Sequence, residues 1–178
     1  MRGAERRGNP EEIKIFMIKN YFELEEKQKE NVIIQLENAQ HFWRAISFLL
    51  KLLKENSFYE HLGKGQLLLL FDETKFLDSF PVLKGFVSLC DKDEVIAPEL
   101  FPWIGFVFVF PEYRGNRLSG VLIDYATNAA KELYPTSNYV YISTDHIGLY
   151  EKFGFSYVKE ETTVWGEQTR FYKREIIR

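Results

Sequence analysis

The chain has 178 residues and a net formal charge of −3, with the two signs interspersed; 46% of residues are hydrophobic and 28% charged. That balance fits one domain with a sizeable core, and it excludes both a disordered chain and a protein built around a basic nucleic-acid-binding face. A single cysteine, Cys90, rules out an internal disulfide and points to a reducing, cytoplasmic setting; its expected place is a small buried hydrophobe.

Residues Met1–Pro10 are basic and polar without an apolar core, so they read as a leader and not as a secretory signal; the domain is expected over 11–178. The longest unbroken aliphatic-aromatic run, Leu67–Phe71, is far too short to cross a bilayer, so no membrane partner is expected. Ile13, Ile15 and Met17 alternate with other residues, which predicts a first strand. From Glu23 to about Asn56 the pattern is helical, with Phe42, Ile46, Leu49, Leu50 and Leu53 on one face. Gly63 and Gly65 punctuate the chain. The apolar runs Gln66–Phe71, Leu83–Cys90 and Trp103–Phe110 have the length and bounding residues of strands. Between the last two, the Asp91–Glu94 charge cluster with Pro98 reads as a solvated loop.

Pro111 stops the third run, and a loop over Glu112–Asn116 follows. Leu118, Val121, Leu122, Tyr125, Ala126, Ala129 and Leu133 then recur at helical spacing until Pro135. Tyr139–Ser143 is the next strand, followed by a short helical turn around Gly148–Lys152. Two strands, about Tyr157–Val164 and Thr169–Glu175, meet at a turn containing Gly166. Strands with helices between them and a closing hairpin predict an α/β domain with a mixed sheet.

A buried strand, a short loop with glycine and arginine, and then a helix can bind an anion. The first N–H groups of a helix lack internal partners, and the aligned peptides place roughly half a positive charge there. A pyrophosphate can accept several of those bonds, Arg114 or Arg117 can add charge, and Gly115 removes a Cβ from the approach. The alternative is an ordinary strand–loop–helix corner with exposed arginines. The loop carries neither Gly-Lys-Ser/Thr nor G-x-G-x-x-G, so nucleoside-triphosphate and dinucleotide loops are excluded.

About thirty residues downstream lies Gly148-Leu-Tyr-Glu-Lys-Phe-Gly-Phe155. Together the two segments resemble the GNAT superfamily of N-acetyltransferases. Its phosphate loop reads R/Q-x-x-G-x-G/A and follows Pro-Glu-Tyr, as Pro111-Glu112-Tyr113 does here; its later motif reads L-Y-x-K-x-G-F, matched by Leu149, Tyr150, Lys152, Gly154 and Phe155. The likeness spans roughly Leu83–Lys173. Arg117 and Ser119 depart from the loop pattern, where glycine and Gly/Ala are usual; Ser119 can instead cap the helix.

The resemblance implies a mostly antiparallel mixed sheet of six to seven strands, splayed at a cofactor cleft and flanked by helices. It implies acetyl-CoA as cosubstrate, no metal, and a small-molecule or peptide amine as acceptor. The pantetheine arm would lie along the main chain of Val107, Phe108 and Val109. Arg114, Gly115, Asn116, Arg117, Leu118, Ser119 and Gly120 would hold the pyrophosphate, and Tyr150 would serve the departing thiolate. Many family members carry a glutamate on the strand before the phosphate loop, whereas Phe101–Phe110 holds no carboxylate. A non-catalytic acyl-CoA sensor is the alternative that this gap favours. Asp145 and His146 are the nearest candidates for moving a proton, His146 because imidazole titrates close to neutral pH; Asp145 is equally suited to capping a short helix near Ile147. Glu167 and Arg170 read as acceptor-side residues or as an ion pair across the last turn, and Trp103 and Trp165 as cleft walls or core. Monomer and homodimer are both left open.

Overall fold

A computed structural model describes residues 16–178; the expected strand positions Ile13 and Ile15, and the leader, lie outside that range. Seven strands form one sheet: β1 Met17–Asn20, β2 Gly65–Leu77, β3 Phe80–Cys90, β4 Trp103–Val109, β5 Tyr139–Thr144, β6 Ser156–Thr162 and β7 Gln168–Glu175. Their order is β1-β2-β3-β4-β5-β7-β6, and every adjacent pair is antiparallel except β4–β5. Four helices flank it: α1 Glu26–Ala39, α2 Arg44–Lys54, α3 Phe58–Leu62 and α4 Leu118–Leu133.

The centre of the sheet explains the uninterrupted apolar runs. Leu67–Phe71 of β2 and Phe86–Cys90 of β3 are buried residue after residue, as happens only where both faces are covered. β2 continues six residues beyond Phe71, where exposed Glu73, Thr74 and Lys75 break the apolar pattern, and it turns into β3 through Asp78-Ser79. Both turn residues have positive φ (47° and 68°), the backbone that matches the twist of a two-residue hairpin.

The expected single helical stretch from Glu23 is two helices. Gln40–Phe42 forms a tight 3-10 turn and Trp43 is extended at φ −162° before α2 begins. Ile46, Leu49, Leu50 and Leu53 are buried on one face of α2 as the spacing predicts, but Phe42 is not among them. It is 44% exposed, because the break turns Phe42 and Trp43 away from that face. Cys90 is buried, and burial pushes its thiol pKa up.

The sheet parts between its two parallel strands. β4 and β5 share one registered pair, Trp103↔Tyr141, beside the Tyr141 N–H to Pro102 carbonyl bond of 2.9 Å. Trp103 packs against Tyr141 and Phe171 and is 1% exposed, so this rung belongs to the core while Trp103 also borders the cleft. Farther along, β3–β4 register slips: Phe86 faces Phe108 and Ser88 faces Gly105, so Phe106 and Val107 together oppose Val87. Such a bulge bends its strand, and Phe106 accommodates it at φ 48°, a region side chains rarely enter. β4 therefore leaves β5, and the expected splay is present.

Candidate active site

The splay opens a cleft of about 1500 Å³. Of the residues singled out in the sequence, Val107, Phe108, Arg114, Asp145, His146 and Tyr150 line it. Main-chain direction alternates along β4. The Phe110 N–H bonds the Lys84 carbonyl on β3 (2.9 Å), so Phe108 also turns its polar main chain to β3 while Val107 and Val109 turn theirs to the gap. Phe108 offers the cleft a ring instead. The Val109 carbonyl accepts a bond from Arg114 Nε at 3.0 Å, and the Arg114 guanidinium lies 5.7 Å from the centre of the Phe108 ring.

Beyond this end of the gap runs the loop into α4. Asn116 Nδ2 donates to the Tyr113 and Arg114 carbonyls (3.0 and 3.3 Å), which curls the loop. Gly115 has φ 81°, and a Cβ there would meet nothing within 4 Å. Arg117, left-handed at φ 58°, occupies the cap position, and no side chain caps the helix. The expectation that Ser119 caps it is therefore corrected: Ser119 lies inside the first turn, past the position from which a hydroxyl reaches the leading amides. Among the described residues nothing accepts the N–H groups of residues 115–119; Gly120 and Val121 donate to the Arg117 carbonyl. Leu118 is buried and anchors the helix start. A Cβ on Gly120 would approach the Phe153 ring to 3.1 Å, so this glycine lets the helix start pack on the turn that carries Tyr150.

Tyr150 begins the 3-10 turn Tyr150–Phe153 and is 7% exposed. Its hydroxyl has no hydrogen-bond partner among the described residues. Burial, reinforced by the charge of Asp93, pushes its pKa up to about 12. That turn begins three residues later than Ile147, with Leu149 at its uncapped start, so the capping role considered for Asp145 is not realised. Thr144 Oγ1 accepts the His146 N–H at 3.1 Å instead, and both Asp145 and His146 are exposed at the cleft mouth.

The Asp91–Glu94 cluster is not a solvated turn. The Asp91 N–H bonds the Lys64 carbonyl, the Lys92 N–H bonds the Leu62 carbonyl, and the Val164 N–H bonds the Glu94 carbonyl (2.8–3.0 Å). Val95, an apolar residue just after the acids, is buried and bridges Thr163. Held this way, Asp93 and Glu94 are half-buried and line the cleft. Ser143 Oγ lies 2.7 Å from Asp93 Oδ2 and 3.2 Å from Glu94 Oε1, with one proton to donate between them. Burial raises the pKa of both carboxyls, and the neighbouring negative charge of Asp93 raises Glu94 further. A Cβ on Gly105 would lie 3.8 Å from Asp93 Oδ1, so an acid from the β3–β4 loop stands beside the strand that carries none of its own.

The last hairpin differs from expectation as well. Arg170 pairs with Glu160 (3.0 Å) across β6–β7, not with Glu167, because it faces Glu160 in register. Trp165 is 64% exposed and packs edge-on against Phe48, 6.1 Å away, as part of the cleft wall.

A seven-stranded mixed sheet parted between parallel neighbours, with an uncapped helix start at one end and buried acids within, defines an acyltransferase-like architecture. The family model for the acetyltransferase (GNAT) domain matches residues 68–157, and the chain belongs to that family. Similar solved structures share the fold at low identity. An acyl-CoA N-acyltransferase from Pseudomonas aeruginosa is 21% identical with a TM-score of 0.58, over 90% of this chain and 98% of that one. An aminoglycoside 6'-N-acetyltransferase bound to coenzyme A is 13% identical with a TM-score of 0.63, over 91% and 98%. A GNAT-family acetyltransferase from Staphylococcus aureus Mu50 is 18% identical with a TM-score of 0.58, over 92% and 100%. No curated protein matches the chain in sequence. Among the described residues no helix is long and apolar enough to cross a membrane, and no three His, Cys, Asp or Glu side chains could share a metal ion.

Proposed function

We propose that the protein transfers an acetyl group from acetyl-CoA to a primary amine, with Asp93 as general base. The observation that carries this reading is the carboxylate of Asp93 inside the β4–β5 gap, beside Gly105 and facing the same space as Tyr150. When bound, acetyl-CoA supplies an acetyl group activated as a thioester. The residues fit it: five successive amides, 115–119, are free to receive a diphosphate, and the open main chain of Val107 can pair with an amide-bearing arm as an added strand. Arg114 adds positive charge at that end, once it releases or shares the Val109 carbonyl.

The base has a defined task. An alkylamine with pKa near 10.4 is almost wholly protonated at pH 7, and freeing it costs about 4.6 kcal/mol, from roughly 3.4 units at about 1.36 each. A carboxylate whose pKa is raised by burial is a stronger base than a solvated one and lies nearer working pH. Asp93 takes the proton as the nitrogen turns to the acyl carbon, while the Ser143 hydroxyl orients the carboxylate. Burial pushes the Tyr150 pKa up to about 12, so at neutral pH it keeps its own proton and donates a hydrogen bond to sulfur as negative charge develops there. Asp145 and His146 border the route by which the proton leaves to solvent. The sensor reading rested on the absence of a strand carboxylate, and Asp93 supplies one from the adjoining loop.

Thermal unfolding with and without acetyl-CoA, followed by thiol release with a panel of amines, tests this. At a hundredfold excess over Kd the ligand adds about 2.7 kcal/mol to stability. No rise in melting temperature at millimolar acetyl-CoA would remove the proposal.

A further inference from the structure

We infer that the acceptor is a small polycation, an amine bearing a second positive charge beyond the nitrogen that is acetylated. This rests on the transferase reading and names the substrate class of that site.

Four carboxylates converge on the acceptor half of the cleft: Asp93 and Glu94 from the β3–β4 loop, Asp145 after β5, and Glu167 in the β6–β7 turn. They feel one another, since the charges of Asp93, Asp145 and Glu167 all act on Glu94. Among the described residues no lysine, arginine or histidine nitrogen lies within 4.0 Å of any of the four, although six ion pairs form elsewhere on the molecule. Only Asp93 and its neighbour Glu94 are needed to take up a proton. Asp145 and Glu167 are surplus to accepting that proton and, among the described residues, are held close to like charge without a counterion.

A second observation marks the same place. Thr169 is 4% exposed, borders the cleft, and its hydroxyl has no partner among the described residues. Thr144, the last residue of β5, faces Arg170 in the β5–β7 register, so Thr169 lies next to the end of β5 from which Asp145 follows. A buried hydroxyl without a partner is costly, and here it is available to accept a bond from an ammonium group. Aromatic rings line the same cleft: Trp165 against Phe48, Phe48 against Phe106 (6.4 Å), and Phe106 against Trp43 (6.3 Å). Ring faces attract cations and cover a hydrocarbon stem. Acids, rings and an unpaired hydroxyl lining one cleft suit an alkyl-linked or ring-linked polyamine. They disfavour an amino acid, whose carboxylate would enter a negative field.

Three acceptors with one six-carbon stem separate the cases: 1,6-diaminohexane, hexylamine and 6-aminohexanoate, assayed by thiol release. The diamine should exceed hexylamine in kcat/KM at least tenfold, chiefly through KM, and hexylamine should exceed the amino acid. The preference should shrink as salt screens the field. In Asp145→Asn/Glu167→Gln the ratio of diamine to monoamine should fall to about 1, with the melting shift by acetyl-CoA reporting that the variant is folded. Hexylamine used as well as the diamine, or an unchanged ratio in the variant, overturns the inference while leaving the transferase intact. If no amine turns over, calorimetric binding of diamine and hexylamine to the protein with coenzyme A still decides the charge question. Loss of acetyl-CoA binding itself would instead sink the transferase reading. Spermidine against an aminoglycoside then separates linear from ring-borne polyamines.

Discussion

Asp93→Asn is the most informative single substitution. The side chains are nearly isosteric, and an asparagine oxygen can still accept the Ser143 bond, so the loop held by the Val95–Thr163 bridge keeps its form. What is lost is the proton acceptor. A positioned general base contributes about 10²–10⁴ in rate, and kcat/KM at pH 7 should fall by that factor. The deficit should then shrink with pH, because the free amine fraction rises about tenfold per unit up to its pKa near 10.4 and takes over the role of the base. Wild-type kcat/KM should decline toward acid as Asp93 protonates, with a midpoint above the ordinary carboxylate range; the variant should instead follow the free-amine fraction alone, falling about tenfold per unit with no break at that midpoint. Stability should respond with the opposite sign. A carboxyl with a raised folded pKa contributes its full stability below the unfolded value and loses it as pH rises through the folded one. The wild type should therefore weaken from the ordinary carboxylate range upward, and the variant should flatten that fall and melt at least as high at pH 8. Thiol-release kinetics from pH 5 to 10 and melting curves over the same range measure both effects. A variant with wild-type kcat/KM and an intact acid limb refutes Asp93 as the base.

Tyr150→Phe should lower kcat by about 10–100-fold while the Kd of acetyl-CoA stays within a factor of two, because one hydrogen bond to developing charge is lost and little ground-state contact; stopped-flow turnover and calorimetry separate the two. Ser119→Glu should act in opposite directions on the free protein and on its ligand. A carboxylate in the first turn of α4 favours the helix dipole by about 0.3–1 kcal/mol, so the apo melting temperature should hold or rise. The same charge should repel a diphosphate and abolish most of the shift caused by acetyl-CoA. A shift of wild-type size would place the diphosphate elsewhere.

Much of the fold was legible because burial writes itself into neighbouring positions. Leu118–Leu133 repeats at helical spacing and stops where Pro135 forbids continuation, and its bounds agree with expectation. Leu67–Phe71 and Phe86–Cys90 are buried without a break because both sheet faces are covered. The β2 extension to Leu77 was not legible, since its exposed Glu73–Lys75 have no core to record. The helix break at Phe42 and Trp43 was missed for a related reason: two apolar side chains that face a cleft look like two that face a core. Asp93 is the clearest case. Its environment is made by Gly105, Ser143 and Tyr150, which approach only when two strands, a turn and a loop assemble, and pattern along the chain carries no trace of that. Val95, buried directly after the acids, was the one local hint that the loop folds inward.

The lone Trp103↔Tyr141 rung divides the sheet into two plates, β1 to β4 on one side and β5, β7 and β6 on the other, which the β3–β4 loop ties again at Val95–Thr163. A guest seated between them would act as the eighth strand, lending each plate the bonds its neighbour withholds. Its departure would leave the two halves held by the rung and the loop contact, so the energy that grips such a guest would also bear on the angle between the plates.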